Sequence, residues 1–192
     1  MTRFIKRLVS KWVSRGYVTD EQAPWLSYAL ERRIVGCLVG IPFWLVGIFL
    51  STIEIASAFL ISFHTIRVRS SGFHAKNLWV CLGMSVLLEC LFLGVLIRVM
   101  NGVMIFNLMI LSSLFIIRFA PFRCQYIHLS DEELEASAMG TKIRVFLLLC
   151  VYFLLSSCRQ KYTAYGIGLG IVMAALLLAL AYLKKGREVN EY

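Results

Sequence analysis

Six long apolar segments with almost no charged side chains constrain the fold of this chain more than any other feature. They cover residues 34–51, 53–66, 78–100, 103–119, 144–157 and 163–183. A helix needs about 20 predominantly apolar residues to cross a bilayer core. Segments 78–100 and 163–183 are long enough, whereas 53–66 and 144–157 are short enough to be re-entrant or tilted. With 59% apolar and 16% charged residues, the pattern predicts an all-α polytopic membrane protein with about six transmembrane or re-entrant helices.

The positive charge of the chain is concentrated in the loops between these segments, and the net charge is +9. Basic residues in such loops set membrane topology and contact anionic lipid, so we expect membrane lipid and not nucleic acid as their partner. If both termini are cytoplasmic, every Lys and Arg except Arg98, Arg159 and Lys161 falls on the inner side. The asymmetry predicts a multi-pass protein with both termini in the cytoplasm. The first apolar segment starts late for a cleavable signal peptide, so we expect it to act as the insertion signal.

The residues before the first apolar segment have the pattern of amphipathic interfacial helices. In residues 3–15, apolar side chains recur at helical spacing, basic side chains fill much of the other face, and Gly16 is placed to end the helix. A second helix is predicted over residues 21–33. The surface fits a lipid anchor or a docking surface for an amphipathic peptide. The predicted organisation is interfacial helices at 1–33, a membrane domain at 34–183 and a short cytoplasmic tail at 184–192.

Small residues within the apolar segments predict close helix packing. Gly36 and Gly40 form a small-xxx-small pair in the first segment, and Pro42 is expected to kink that helix. The last segment carries three alternate glycines, Gly166, Gly168 and Gly170. These small-residue faces can pack within one subunit or between the subunits of a homodimer.

The longest polar stretch after the N-terminus, residues 118–143, separates the fourth and fifth apolar segments. Ser130 followed by Glu133 fits a capping box, which marks the start of a helix. A short acidic helix is therefore expected from Asp131 to about Ala138. Gly140 is expected to end it.

A basic, polar interruption between the second and third segments places His74 seven residues before Cys81. A thiol is an effective nucleophile as thiolate, and a neighbouring imidazole is a common way to generate one. In one continuous helix the two residues would lie about 10 Å apart along the axis, too far for a hydrogen bond. A catalytic pair therefore requires a loop or broken turn, for which Gly72 is suited. On spacing alone, the alternative is a surface histidine and a packed cysteine.

Other ionisable residues offer rival sites. Glu54 and Glu89 lie within apolar segments, where such residues are functional candidates by default, and Glu89 could pair with Arg98 or with a polar group on another span. Glu89 would lie about 12 Å along a helix from Cys81, too far for direct contact. His64 and His128 are further candidates, but their spacing with His74 and Cys81 matches no familiar zinc pattern. We expect no metal and no cofactor.

The polar interruption resembles a motif of the AgrB family. Arg69, Gly72, His74 and Cys81 follow one another as R-x-x-G-x-H-x-x-x-x-x-x-C. Ala120–Pro121 with the later Ser130–Glu133 stretch, the N-terminal basic segment, the six apolar segments and the length of the chain resemble the family as well. The loop after Pro121 is often lysine-rich in that family, whereas here it contains Arg123, Cys124 and His128.

The resemblance implies a membrane cysteine endopeptidase of a Gram-positive quorum-sensing system. AgrB-like proteins process a short AgrD-like propeptide into a cyclic thiolactone or lactone signal, and they are often homodimers. His74 would then be the general base and Cys81 the nucleophile, with Arg69, Gly72 and Pro121 supporting the site or binding substrate. Two alternatives stay open: a small transporter or peptide exporter that depends on Glu54 and Glu89, and a non-enzymatic membrane scaffold.

Overall fold

The computed structural model describes residues 2–70, 78–122 and 131–190, and no strand occurs among them. The helices are α1 Thr2–Ser14, α2 Ala23–Leu50, α3 Ile53–Ser70, α4 Leu78–Glu89, a π-helix Cys90–Leu96, α5 Ile97–Val99, α6 Gly102–Phe119, α7 Asp131–Ser157 and α8 Lys161–Asn190. The all-α class predicted from the sequence is confirmed. Residue contacts divide the chain into two units, Met1–Phe43 and Trp44–Tyr192.

In the first unit, α1 ends at the glycine that the sequence indicated. Gly16 has a φ of +74°, which its missing Cβ allows. Its amide donates to Val13 O, and the Tyr17 amide donates to Trp12 O at 3.0 Å, so two carbonyls at the helix end are satisfied in a Schellman motif. Helix α1 and its end are thus built as the local sequence predicts.

Two helices predicted as separate form the single helix α2. The expected boundary between residues 33 and 34 does not interrupt it, and Pro42 lies inside it. The composition changes from polar to apolar at this point, but the backbone stays helical. Arg and Leu are both good helix formers. The prediction of two helices was therefore wrong.

In the second unit, α8 is the central helix and packs against α3, α6 and α7. Its glycines permit this packing: a Cβ atom at Gly166 would lie 2.8 Å from Ile55 O, and one at Gly170 would lie 2.5 Å from Phe59 O, both in α3. The helix backbones therefore meet directly. The predicted close packing in the last apolar segment is confirmed, and it occurs within one chain.

Three described helices are long and apolar enough to cross a membrane: Gly102–Phe119, Leu134–Ser157 and Lys161–Lys184. A shorter apolar stretch, Gly40–Leu50, lies in α2. The outward face of α6 is apolar, with Leu111 67% and Leu114 62% exposed, which suits contact with lipid. These features identify a membrane protein, while the count of six spans stays a prediction.

The helical assignments of two other segments differ in detail from the prediction. Residues 78–99 are helical throughout, but Cys90–Leu96 is a π-helix, which no sequence pattern indicated. The acidic helix does not end at Gly140; α7 runs from Asp131 through it to Ser157. A glycine inside a helix costs about 1 kcal/mol relative to alanine, and α7 tolerates it here.

Gly47 in α2 is expected not to tolerate alanine. A Cβ at this position would lie 2.8 Å from Glu89 Oε1 and 3.1 Å from Ala56 Cβ. We expect Gly47→Ala to lower the free energy of unfolding in detergent by about 1–3 kcal/mol, because overpacking a tight contact forces shifts. Gly40→Ala in the same helix is the control, since a Cβ there meets nothing within 4 Å. Equal stability of the two variants would contradict the described contact.

Candidate active site

The described structure places three of the five predicted site residues. Arg69 is the penultimate residue of α3 and is exposed, and Pro121 follows Ala120, the C-cap residue of α6. Cys81 lies in the first turn of α4, and its side chain is outside the described part of the structure. Gly72 and His74 also lie outside the described residues.

The end of α3 is held by hydrogen bonds from distant parts of the chain. The last carbonyls of a helix have no partner within it. Here the Phe122 amide donates to Ser70 O at 3.0 Å, and Ser137 Oγ donates to Arg69 O at 2.9 Å. These bonds bring the end of α3 next to the segment that contains Pro121. Two separate parts of the sequence motif, around Arg69 and around Pro121, are thus adjacent.

One face of α7 supplies the contacts to α3. Ser137, Gly140, Thr141 and Arg144 recur at helical spacing. Arg144 Nη1 donates to Thr65 O at 2.8 Å, and a Cβ at Gly140 would lie 3.9 Å from Arg69 Cδ and Nε. The sequence interpretation missed this face because it ended a helix at Gly140. The spacing of small and polar residues was the signal that could have revealed it.

The end of α6 is fixed by a tyrosine of α8. Tyr182 Oη donates to Phe119 O at 2.7 Å, and its ring meets the edges of the Phe119 and Phe122 rings at centroid distances of 5.7 and 4.9 Å. Such edge-to-face pairs stabilise in addition to the area they bury. The segment Ala120–Phe122 is therefore held from both α3 and α8. The sequence interpretation did not identify Tyr182 as part of this site.

These bonds place the C-terminal ends of α3 and α6 at the same end of the second unit, with the first half of α7. The charge distribution predicts all three on the cytoplasmic side. Helix ends that share one side of a membrane must lie at the same end of the unit, as these do. The side of the membrane on which they lie stays a prediction.

Glu89 is fully buried at the junction of α4 and the π-helix. Among the described residues, neither of its carboxylate oxygens has a hydrogen-bond partner. Arg98 is therefore not its partner, and Arg98 Nη2 instead donates to Leu50 O at the end of α2, at 3.0 Å. The suggested Glu89–Arg98 pair was therefore wrong. Glu54, in the first turn of α3, is exposed.

No group of three His, Cys, Asp or Glu side chains that could hold a metal ion occurs in the described ranges. This finding does not cover His74, Cys81 and His128, so the expectation of no metal stays a prediction. The described part of the site contributes the basic end of α3, where Arg67 and Arg69 occupy the last turn.

Comparison with known proteins adds one finding. The family model described as "AgrB: Accessory gene regulator B" matches residues 2–178 of the 192. No significant match is found among curated proteins or among solved structures. The match covers both units and nearly the whole chain, and it supports a role in quorum-sensing peptide processing at a membrane. The chain therefore belongs to the accessory gene regulator B family.

Proposed function

We propose that this protein is a membrane cysteine endopeptidase that cleaves the C-terminal segment of an AgrD-like propeptide. In this proposal an acyl-thioester forms on Cys81, and the enzyme then assists cyclisation of the peptide to a thiolactone or lactone signal. His74 acts as general base and then as general acid. Arg69, Gly72 and Pro121 support the site or bind the substrate.

The chemical steps follow from the two reactive groups. His74 accepts the Cys81 proton, and the thiolate attacks a peptide carbonyl of the propeptide. The C–N bond breaks after His74 protonates the leaving amine, and the acyl group remains on Cys81. A cysteine or serine side chain of the bound peptide then attacks the thioester, which closes the ring and releases the thiol. Because thioester exchange is almost energy-neutral, the site must exclude water and hold the internal nucleophile close.

The observation that carries this proposal is the hydrogen bond from the Phe122 amide to Ser70 O, 3.0 Å long. It joins the motif segment around Arg69 to the segment around Pro121, which are far apart in the sequence. In the sequence, the stretch that contains His74 lies between the end of α3 and the start of α4, and Cys81 occupies the first turn of α4. The free amide groups of a first helical turn carry partial positive charge, which favours an anion there.

The test is covalent trapping in liposomes. Wild-type protein is incubated with a propeptide encoded beside its gene, the reaction is quenched with acid, and the protein is digested and analysed by mass spectrometry. We expect loss of the C-terminal segment of the propeptide and an acyl adduct on the peptide that contains Cys81. Cleavage without any adduct, or an adduct on another residue such as Cys90, would contradict the thioester mechanism.

The rival function is a small transporter or peptide exporter without covalent chemistry. The observation that favours it is the buried Glu89 carboxyl, which has no hydrogen-bond partner among the described residues. Such a carboxyl within an apolar helix commonly belongs to an ion or proton path. Transport of a labelled peptide that requires Glu89 and not Cys81 would support the rival over the peptidase.

We also infer the surroundings in which this enzyme works. The charge distribution and the family support the cell membrane of a Gram-positive bacterium, with multiple spans and both termini in the cytoplasm. A homodimer is expected from the resemblance to the family. Gly166 and Gly170 are already covered by α3 of the same chain, so a dimer contact would need another face.

A further inference from the structure

We propose that Ser137 and Arg144 of α7 are positioning residues for the proposed peptidase. They hold the last turns of α3, the helix that immediately precedes the His74 stretch in the sequence. The inference rests on the proposed function, because it concerns the placement of the general base. Neither residue belongs to the motif around His74 and Cys81.

The end of α3 is where a small displacement would matter most. The last described residue before the His74 stretch is Ser70, and His74 follows only four residues later. The carbonyls of Arg69 and Ser70 point beyond the end of the helix and need partners from elsewhere. Ser137 Oγ supplies one at 2.9 Å, and the Phe122 amide supplies the other at 3.0 Å. Both bonds together fix the orientation of the last peptide units.

Arg144 acts one turn deeper in α3. Its Nη1 atom donates to Thr65 O at 2.8 Å, and the side chain is half-buried between the helices. A positive charge near the C-terminal end of a helix also interacts favourably with the helix dipole. Ser137 and Arg144 thus hold the same end of α3 at two levels, seven residues apart on one face of α7.

Two features of α7 support the hydrogen bond that Ser137 donates to Arg69 O. Thr141 is 1% exposed, and its Oγ1 atom donates to Ser137 O at 2.9 Å, which ties the two turns together. Gly140 lies on the same face, close to Arg69: a Cβ there would lie 3.9 Å from Arg69 Cδ and Nε, at van der Waals contact. The contact between α7 and α3 therefore involves several residues and not one isolated hydrogen bond.

The body of α3 is held independently of these bonds. Its buried side chains Ala56, Phe59, Ser62 and Ile66 lie along the helix before its end, and the helix packs most extensively on α8. Removing the Ser137 hydroxyl should leave this packing intact and free only the end of the helix. The expected consequence is a misplaced base in a folded protein.

The experiment compares Ser137→Ala with Ser137→Thr, which keeps a hydroxyl, and with Arg144→Lys, which keeps the charge but loses the guanidinium geometry. Ser157→Ala is the matched control, because Ser157 Oγ in the same helix donates only to Phe153 O of its own helix, at 2.9 Å. Steady-state cleavage of the propeptide in liposomes gives kcat and KM. The rate of Cys81 alkylation by iodoacetamide against pH reports on its pairing with a base.

We expect kcat of Ser137→Ala to fall roughly 10- to 100-fold with KM unchanged, since a displacement of about 1 Å can have such an effect. Arg144→Lys should show a similar fall. Ser137→Thr should recover most of the activity, and Ser157→Ala should match the wild type. The alkylation profile of Ser137→Ala should shift towards that of His74→Ala, which a merely structural role would not cause.

Two results would overturn the positioning role: a wild-type kcat in Ser137→Ala, or a fall that only follows a loss of folded protein measured by thermal unfolding in detergent. Failure of the proposed function has a different outcome. In that case Cys81→Ala would cleave the propeptide as fast as the wild type, whatever Ser137→Ala does. A Cys81-dependent enzyme that is indifferent to Ser137 would overturn this inference alone.

Discussion

Replacing Cys81 with alanine is expected to abolish propeptide cleavage, with a fall in kcat/KM of at least about 10⁴-fold. Without the thiol, neither the acyl-thioester nor the ring-closing exchange can form. His74→Ala should lower kcat by about 10²- to 10⁴-fold, the range for loss of a general base. The double variant should be no worse than Cys81→Ala, because nucleophile and base act as one unit.

The measurement is single-turnover cleavage of the propeptide in liposomes, followed by mass spectrometry of both fragments. Cys81→Ser is the check on thiol dependence, since a hydroxyl is a much weaker nucleophile at the same position. Cys150→Ala is the matched control, because Cys150 is a free, exposed thiol on α7. Undiminished cleavage by Cys81→Ala would exclude the proposed mechanism. Loss of cleavage in Cys150→Ala as well would indicate a general effect of removing thiols.

Replacing Gly170 with alanine is expected to have the largest effect on stability. A Cβ at this position would collide with Ser62 Oγ and would lie 2.5 Å from Phe59 O and 3.2 Å from Phe63 N. Two of these neighbours are backbone atoms, which cannot move unless α3 and α8 separate. We expect the free energy of unfolding to fall by about 3 kcal/mol or more, a large part of the stability of an ordinary domain.

Alanine variants at the three glycines of α8 test this packing. Their free energy of unfolding is measured in detergent with increasing SDS. At Gly168 a Cβ would meet side-chain atoms, Ile105 Cγ2 at 3.1 Å and the Tyr152 ring at 3.5 Å, which can adjust. Gly168→Ala should therefore cost about 1 kcal/mol, and Gly170→Ala clearly more. Gly166→Ala faces the carbonyl of Ile55 and should resemble Gly170→Ala. The reverse order would contradict the packing of α8 on α3.

The sequence by itself determined the helical class and the membrane setting, and the proposed reactive groups come from it alone. Long charge-free segments can form little other than helices in a bilayer, because every backbone polar group must be satisfied within the segment. The end of α1 at Gly16 and the close packing around Gly166 and Gly170 also follow from local properties of glycine, which allows a positive φ and a short distance between helices.

Only the tertiary structure decided which helix ends meet and which groups hold them. Gly140 has the local character of a helix end, yet α7 continues through it to Ser157 and contacts α3 on both sides of this glycine, through Ser137 and Arg144. The partners of the α3 carbonyls come from Phe122 and Ser137, and their approach depends on how three helices pack. The buried Glu89 likewise lies close to Gly47 of α2, where an added Cβ would be 2.8 Å from Glu89 Oε1. Such contacts join residues far apart in the chain, so no local pattern of spacing or propensity encodes them.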